Sequence, residues 1–91
     1  MAAAGAGRVA VPSATVRVAV IDIGTNSTRL LVADASGSEL REVARANRVT
    51  RLGAGVDVSG ALGADAIART VAVARDYVRD ARALGAARTV A

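Results

Sequence analysis

Apolar residues occupy both parities of the segment VRVAVIDI, Val16 to Ile23, once Arg17 is passed. Such a run predicts a strand buried on both faces. Gly24 and three small polar residues, Thr25, Asn26 and Ser27, interrupt it. A second strand is expected over TRLLVAD, Thr28 to Asp34, and a turn at Ser36-Gly37 leads to a third over Glu39 to Thr50. The third run is polar and alternates poorly, which predicts an edge position. Three strands joined by short polar turns describe an antiparallel meander.

Beyond it, RLGAGVDVSGA, Arg51 to Ala61, contains three glycines and reads as a loop. A helix is expected from Ala64 to Leu84, with Gly85 as its stop. Its apolar stripe is Ile67, Val71, Ala74, Val78 and Ala81, with Val73, Tyr77 and Leu84 on the flank. The final residues, Arg88 to Ala91, begin another strand. The order β-β-β-α-β defines an α/β class without an internal repeat. A chain that stops inside a nascent strand is expected to be truncated, so residues 16–91 read as a partial domain. Residues 1–15 are Ala/Gly-rich, carry the single proline, Pro12, and lack periodicity. They are expected to form a disordered N-terminal extension. No charged region precedes an apolar one there, so no secretory signal is expected.

Composition narrows the chemistry. The 91 residues include no Cys and no His, and all 12 basic residues are Arg. Disulfides, zinc fingers, thiol nucleophiles, imidazole bases, Walker-A loops and Schiff bases are therefore excluded. What remains is carboxylates, hydroxyls, Arg and backbone N–H groups. The hydrophobic fraction of 53 % is mostly Ala and Val, with Tyr77 the single aromatic residue. Small side chains bury little area each, so low stability is expected of the chain alone. The net charge is +4, but the arginines are scattered between Arg8 and Arg88, and no aromatic platform accompanies them. Solvated structural arginine is the expected reading, and a nucleic-acid partner is not. No stretch approaches the ~20 apolar residues of a membrane span, so no membrane partner is expected.

One segment carries chemistry: DIGTNSTRLL, Asp22 to Leu31. Asp22 closes a strand expected to be buried, where an unpaired charge is costly. Gly24 tolerates positive φ and lets the backbone approach a ligand. Thr25, Asn26 and Ser27 offer successive N–H groups with hydroxyl and amide donors, and Arg29 adds a fixed positive charge. Successive amides in a tight turn form an anion-binding concavity, and Asp22 beside them is suited to hold Mg²⁺ through water. The set has the character of one half of a phosphoryl-transfer site. An ordinary hairpin turn, with Asp22 capping it, stands beside that reading. Alternation places only one of Thr28 and Arg29 on the ligand side.

The stretch VAVIDIGTNSTRLLVAD resembles the first phosphate-binding loop of the exopolyphosphatase and guanosine pentaphosphate phosphohydrolase (Ppx/GppA) family. VTRLGAGVDVSG, Val49 to Gly60, is similar to that family's R-L-G-x-G-v-d-x-x-G segment, and the following helix matches in type and position. Ala54 stands where members often have Glu.

The resemblance implies an RNase H-like fold of the actin/hexokinase/Hsp70 type, with the active site between two such domains. It implies release of terminal phosphate from inorganic polyphosphate or guanosine pentaphosphate, with Mg²⁺ or another divalent cation. By position Asp22 would stand near the metal, and Gly24, Thr25, Asn26 and Ser27 would line the phosphate, with Arg29 as a charge partner. Arg51 is expected to stabilise a loop rather than face the cleft.

A water-activating glutamate is expected beyond Ala91, so no catalytic residue is assigned here, and the chain alone is expected to be inactive. A cytoplasmic location and a homodimer of the full-length form are further expectations. Two alternatives remain: a fragment of a sugar or acetate kinase of the same fold, and a non-catalytic Arg-rich anion-binding module.

Overall fold

The computed structural model describes residues 15–91; residues 1–14, most of the expected disordered extension, lie outside them. Strands β1 (Val16–Ile23), β2 (Ser27–Ser36) and β3 (Glu39–Val49) form the expected antiparallel meander. A short helix α1 (Val56–Ser59) and a long helix α2 (Ala64–Ala83) follow, and β4 (Arg88–Val90) returns to the sheet. The sheet order is β3-β2-β1-β4, and β4 runs parallel to β1. Helix α2 thus makes the long crossover that a parallel strand requires. The polar third run is an edge strand, as its pattern predicted.

Turn chemistry explains the hairpins. Gly37, at φ 60°, opens the two-residue turn between β2 and β3. The β1–β2 hairpin closes where the Gly24 N–H donates to the Ser27 carbonyl at 2.9 Å. Gly24 is not among the glycines with positive φ. A Cβ there would sit 3.1 Å from the Ser27 carbonyl oxygen, so space rather than backbone freedom asks for glycine.

One face of the sheet carries the core. Ala19 and Ile21 of β1 and Leu30 and Val32 of β2 pack against Val73, Tyr77 and Ala81 of α2. The helix ends in a Schellman motif: Ala86 N–H donates to the Ala81 carbonyl and Gly85 N–H to the Arg82 carbonyl, both at 2.9 Å. Gly85 supplies the left-handed turn at φ 82°. Arg17 clamps that end. Its Nε and Nη2 donate to the two carboxylate oxygens of Asp34 at 2.8 and 3.1 Å, and its Nη1 donates to the Leu84 carbonyl at 2.8 Å.

Three expectations are corrected. β1 is buried on one face only: Ala19 and Ile21 face the helix, while Val20 on the other face is 45 % exposed and Asp22 beside it is exposed as well. The described elements place a single helical layer on one side of the sheet, so nothing covers the other. The helix is rotated from its most hydrophobic stripe: Ala66, Thr70, Val73, Tyr77 and Ala81 are buried, while Ile67 and Val71 are 43 % and 42 % exposed. Small residues at both ends let the helix approach the sheet, and Tyr77 fills the centre. The Gly-rich loop contains the short helix α1, bounded by left-handed Gly55 and Gly60. Among the described residues, no helix is long and apolar enough to cross a membrane.

Candidate functional site

The two sequence motifs meet through their backbones. The tip of the β1–β2 hairpin offers carbonyls, and the segment after β3 supplies the N–H groups. Asn26 O accepts from Thr50 N–H at 3.0 Å and from Arg51 N–H at 2.9 Å, and Thr25 O accepts from Gly53 N–H at 2.9 Å. Gly53 permits this approach, since a Cβ there would lie 3.3 Å from the Thr25 Cβ. Arg51 adopts φ 52° and is the one non-glycine with positive φ among the described residues. That conformation costs an ordinary side chain of order 1–3 kcal/mol.

A buried polar cluster supports the junction. Thr28 Oγ1 and Thr50 Oγ1 lie 2.9 Å apart, both residues essentially inaccessible to solvent. The Tyr77 hydroxyl donates to the Thr28 carbonyl at 3.1 Å. Arg69, from α2, donates its Nε to the Thr50 carbonyl at 3.0 Å and its Nη2 to the Arg51 carbonyl at 3.3 Å. Carbonyls left outside any ladder are thereby satisfied. Burial pushes the Tyr77 phenol above its ordinary range, the Arg48 charge opposing and Asp80 adding to the shift.

The candidate residues divide into two groups. Thr25 and Asn26 line an open depression of about 650 Å³ together with Arg51, Gly53, Ala54 and Asp57. Gly24 and Ser27 close the turn behind them. Asp22 and Arg29 are directly paired across β1 and β2. They line a second depression on the uncovered sheet face, with Val20, Leu31, Arg45 and Asn47. Asp22 is exposed rather than buried, and its side chain makes no hydrogen bond among the described residues, so it does not cap the turn. Alternation is resolved: Thr28 faces the core and Arg29 the open side.

Pattern reading missed Thr50, Gly53 and Arg69 as parts of the site. Arg69 gives no local signal, because its role is to reach carbonyls 18 and 19 residues earlier in the chain. Arg51 was expected in a structural role. Its backbone has that role, and the residue also lines the depression. No group of three His, Cys, Asp or Glu residues able to hold a metal occurs among the described residues.

Three antiparallel strands, a helical crossover and a fourth strand parallel to the first constitute part of an α/β domain of the RNase H-like, actin-type class. No family model matches the chain. Exopolyphosphatase 2 of Mycobacterium tuberculosis is 50 % identical over 68 residues, which cover 70 % of this chain and 21 % of that protein. A crystal structure of the Aquifex aeolicus Ppx/GppA family member matches with a TM-score of 0.76 and 33 % identity, over 82 % of this chain and 24 % of that one. The type II variant of the Aquifex aeolicus phosphatase gives a TM-score of 0.75 at 34 % identity, over 81 % and 25 % of the two chains. The chain belongs to the Ppx/GppA phosphatase family, and it spans between a fifth and a quarter of the length of these relatives.

Proposed function

We propose that this chain supplies the phosphate cradle of a phosphoanhydride hydrolase that releases terminal phosphate from inorganic polyphosphate or guanosine pentaphosphate. The observation that carries the reading is the junction of the hairpin tip with the R-L-G segment, which brings Thr25, Asn26 and Arg51 to one depression. Exopolyphosphatase 2, named for such an activity, is the curated relative that supports the choice of hydrolysis over the kinase alternative.

In the reaction, water attacks the terminal phosphorus, the bridging P–O bond breaks, and inorganic phosphate leaves a chain one unit shorter. The hydroxyl of Thr25 and the amide of Asn26 orient the terminal phosphoryl group, and Gly24 and Ser27 fix the turn that presents them. Arg29 contributes positive charge on the Asp22 side of the hairpin. A divalent cation such as Mg²⁺ commonly takes one or two carboxylates and completes its shell with water and substrate phosphate. The donor set fits that habit at one position, since Asp22 is exposed and its carboxylate is uncommitted among the described residues. Bound there, the cation would neutralise charge on the phosphate oxygens.

The residues assigned here cradle the phosphate and include no base for the attacking water. The 91-residue chain is therefore expected to bind but not to turn over. A cytoplasmic location and a homodimeric full-length form belong to the same proposal, supported by the substrate class and the family.

Phosphate release from polyphosphate is the test, measured in the full-length protein that contains this segment. Asp22→Ala is expected to lower Mg²⁺-dependent release by about 10²-fold or more, in the range typical of a lost catalytic electrostatic contact. Unchanged turnover would remove Asp22 from the site. Hydrolysis by residues 1–91 alone would overturn the division between cradle and base.

A further inference from the structure

Two arginines flank the hairpin, and they lie in different depressions. Arg29 lies on the open sheet face, where the residue directly opposite it across the strands is Asp22, with no ion pair between the two side chains. Arg51 lines the depression that also takes in Thr25 and Asn26.

Its main chain is held on every side. The N–H donates to the Asn26 carbonyl, and its own carbonyl accepts from Ala54 N–H at 3.0 Å and from the Arg69 guanidinium at 3.3 Å. The preceding residue, Thr50, is tied to Asn26 and Arg69 as well. A long side chain leaving so constrained a backbone starts from a fixed point, which reduces the freedom lost when its end engages a ligand.

The backbone conformation adds a second observation. At φ 52° glycine or asparagine would be at ease, and an arginine is not. Folding alone gives no reason to keep a charged, branched-headed side chain at such a position. Strain of this kind gathers where a side chain is needed for function. The Arg51 guanidinium makes no ion pair or hydrogen bond among the described residues, as is also true of Arg29, Arg41, Arg75, Arg82 and Arg88; what sets Arg51 apart is that it lines the Thr25–Asn26 depression from a left-handed backbone. A planar fork of donors suits two oxygens of one phosphoryl group.

We infer that Arg51 is a substrate-contacting residue: its guanidinium takes the phosphoryl group presented at the Thr25–Asn26 tip, in a role distinct from that of Arg29. The assignment rests on the reading of the hairpin tip as a phosphate cradle. Asp57 lines the same depression. Its carboxylate opposes a bare anion there, so the arginine must outweigh it.

The test uses the full 91-residue chain and inorganic tripolyphosphate, titrated calorimetrically at low salt. Arg51→Asn removes the guanidinium but tolerates the left-handed backbone, and Arg51→Gly serves the same purpose should the first variant fold poorly by circular dichroism. Arg82→Gln, on the exposed flank of α2, removes one positive charge elsewhere.

The wild-type chain is expected to bind. Arg51→Asn should weaken binding about tenfold, as for one lost charge-assisted contact. Arg51→Lys should recover part of the loss, because it restores the charge but not the fork. Asp57→Asn should tighten binding, and Arg82→Gln should change it less than twofold.

A loss in Arg51→Asn no larger than that in Arg82→Gln would overturn the assignment of Arg51 while leaving the cradle intact. Absence of tripolyphosphate binding by the wild-type chain would instead overturn the cradle itself, and the assignment with it.

Discussion

The hydroxyl of Tyr77 reaches the Thr28 carbonyl from a side chain that is otherwise enclosed in the core. It joins the largest apolar contribution to the hydrogen bonds that hold the hairpin. Tyr77→Phe keeps the packing and leaves the buried carbonyl without its donor, so it is expected to cost about 1–2 kcal/mol in urea unfolding. Tyr77→Ala empties the centre of the helix–sheet contact and is expected to cost about 3–5 kcal/mol, enough to unfold so small a domain. The raised phenol affinity for its proton has a definite sign. Above the ordinary value of 10.0 the unfolded chain loses this proton before the folded one does. Stability should therefore fall as pH rises past about 10, and a melting-temperature series in alkaline buffers checks it. Arg51 makes the opposite kind of prediction. Its glycine variant should be as stable as the wild type or more stable by up to about 2 kcal/mol, relief of strain matching or exceeding the added freedom of the unfolded chain, whereas Arg51→Val should destabilise by about 1 kcal/mol or more.

Elements are joined at their ends, and the ends are where substitutions should be felt. Gly85→Ala places a side chain at φ 82° and weakens the Schellman motif, with an expected cost of about 1 kcal/mol. Near it, the Arg17 guanidinium beside Asp34 holds that carboxyl below the usual range through its hydrogen bonds. Asp76 is lowered likewise by Arg79 and Arg48. Both carboxylates bind protons more weakly folded than unfolded. Their contribution is present above about pH 4 and is lost as pH falls through the lowered values. Arg17→Gln should lower the melting temperature at neutral pH and reduce the loss of stability on acidification.

The strand and helix spans were legible because each depends on local pattern: β-branched runs, a Gly-bearing turn, a Gly stop. The face that α2 buries was not. Ile67 and Val71 are the more hydrophobic choice, yet Ala66 and Thr70 lie against the sheet, where close approach and the reach of Tyr77 decide the rotation. The helix α1 was hidden for a related reason. Four residues between glycines give no periodicity to read.

At the scale of the molecule, the described residues form a two-layer arrangement with one apolar face of the sheet uncovered. Val16, Val20 and Leu40 are exposed, and so are Ile67 and Val71 on α2. The core is small and rich in alanine. The isolated chain is expected to unfold cooperatively with a stability at or below about 5 kcal/mol. Its exposed apolar surface should bind a hydrophobic dye, and a chain that binds none would contradict the open face.

Local pattern along the chain was enough to place the strands, the helix, the meander, the edge position of β3 and the family. It also singled out the hairpin Asp22 to Arg29, since turn residues and backbone donors act locally and leave a local trace. Which of those residues share a site was set by long-range packing. Thr25 and Asn26 join Arg51, while Asp22 and Arg29 lie on the open side of the sheet. That division follows from strand alternation combined with the docking of residues 50–53 on the hairpin tip. Those hydrogen bonds link positions about 25 residues apart, and no spacing along the chain encodes them.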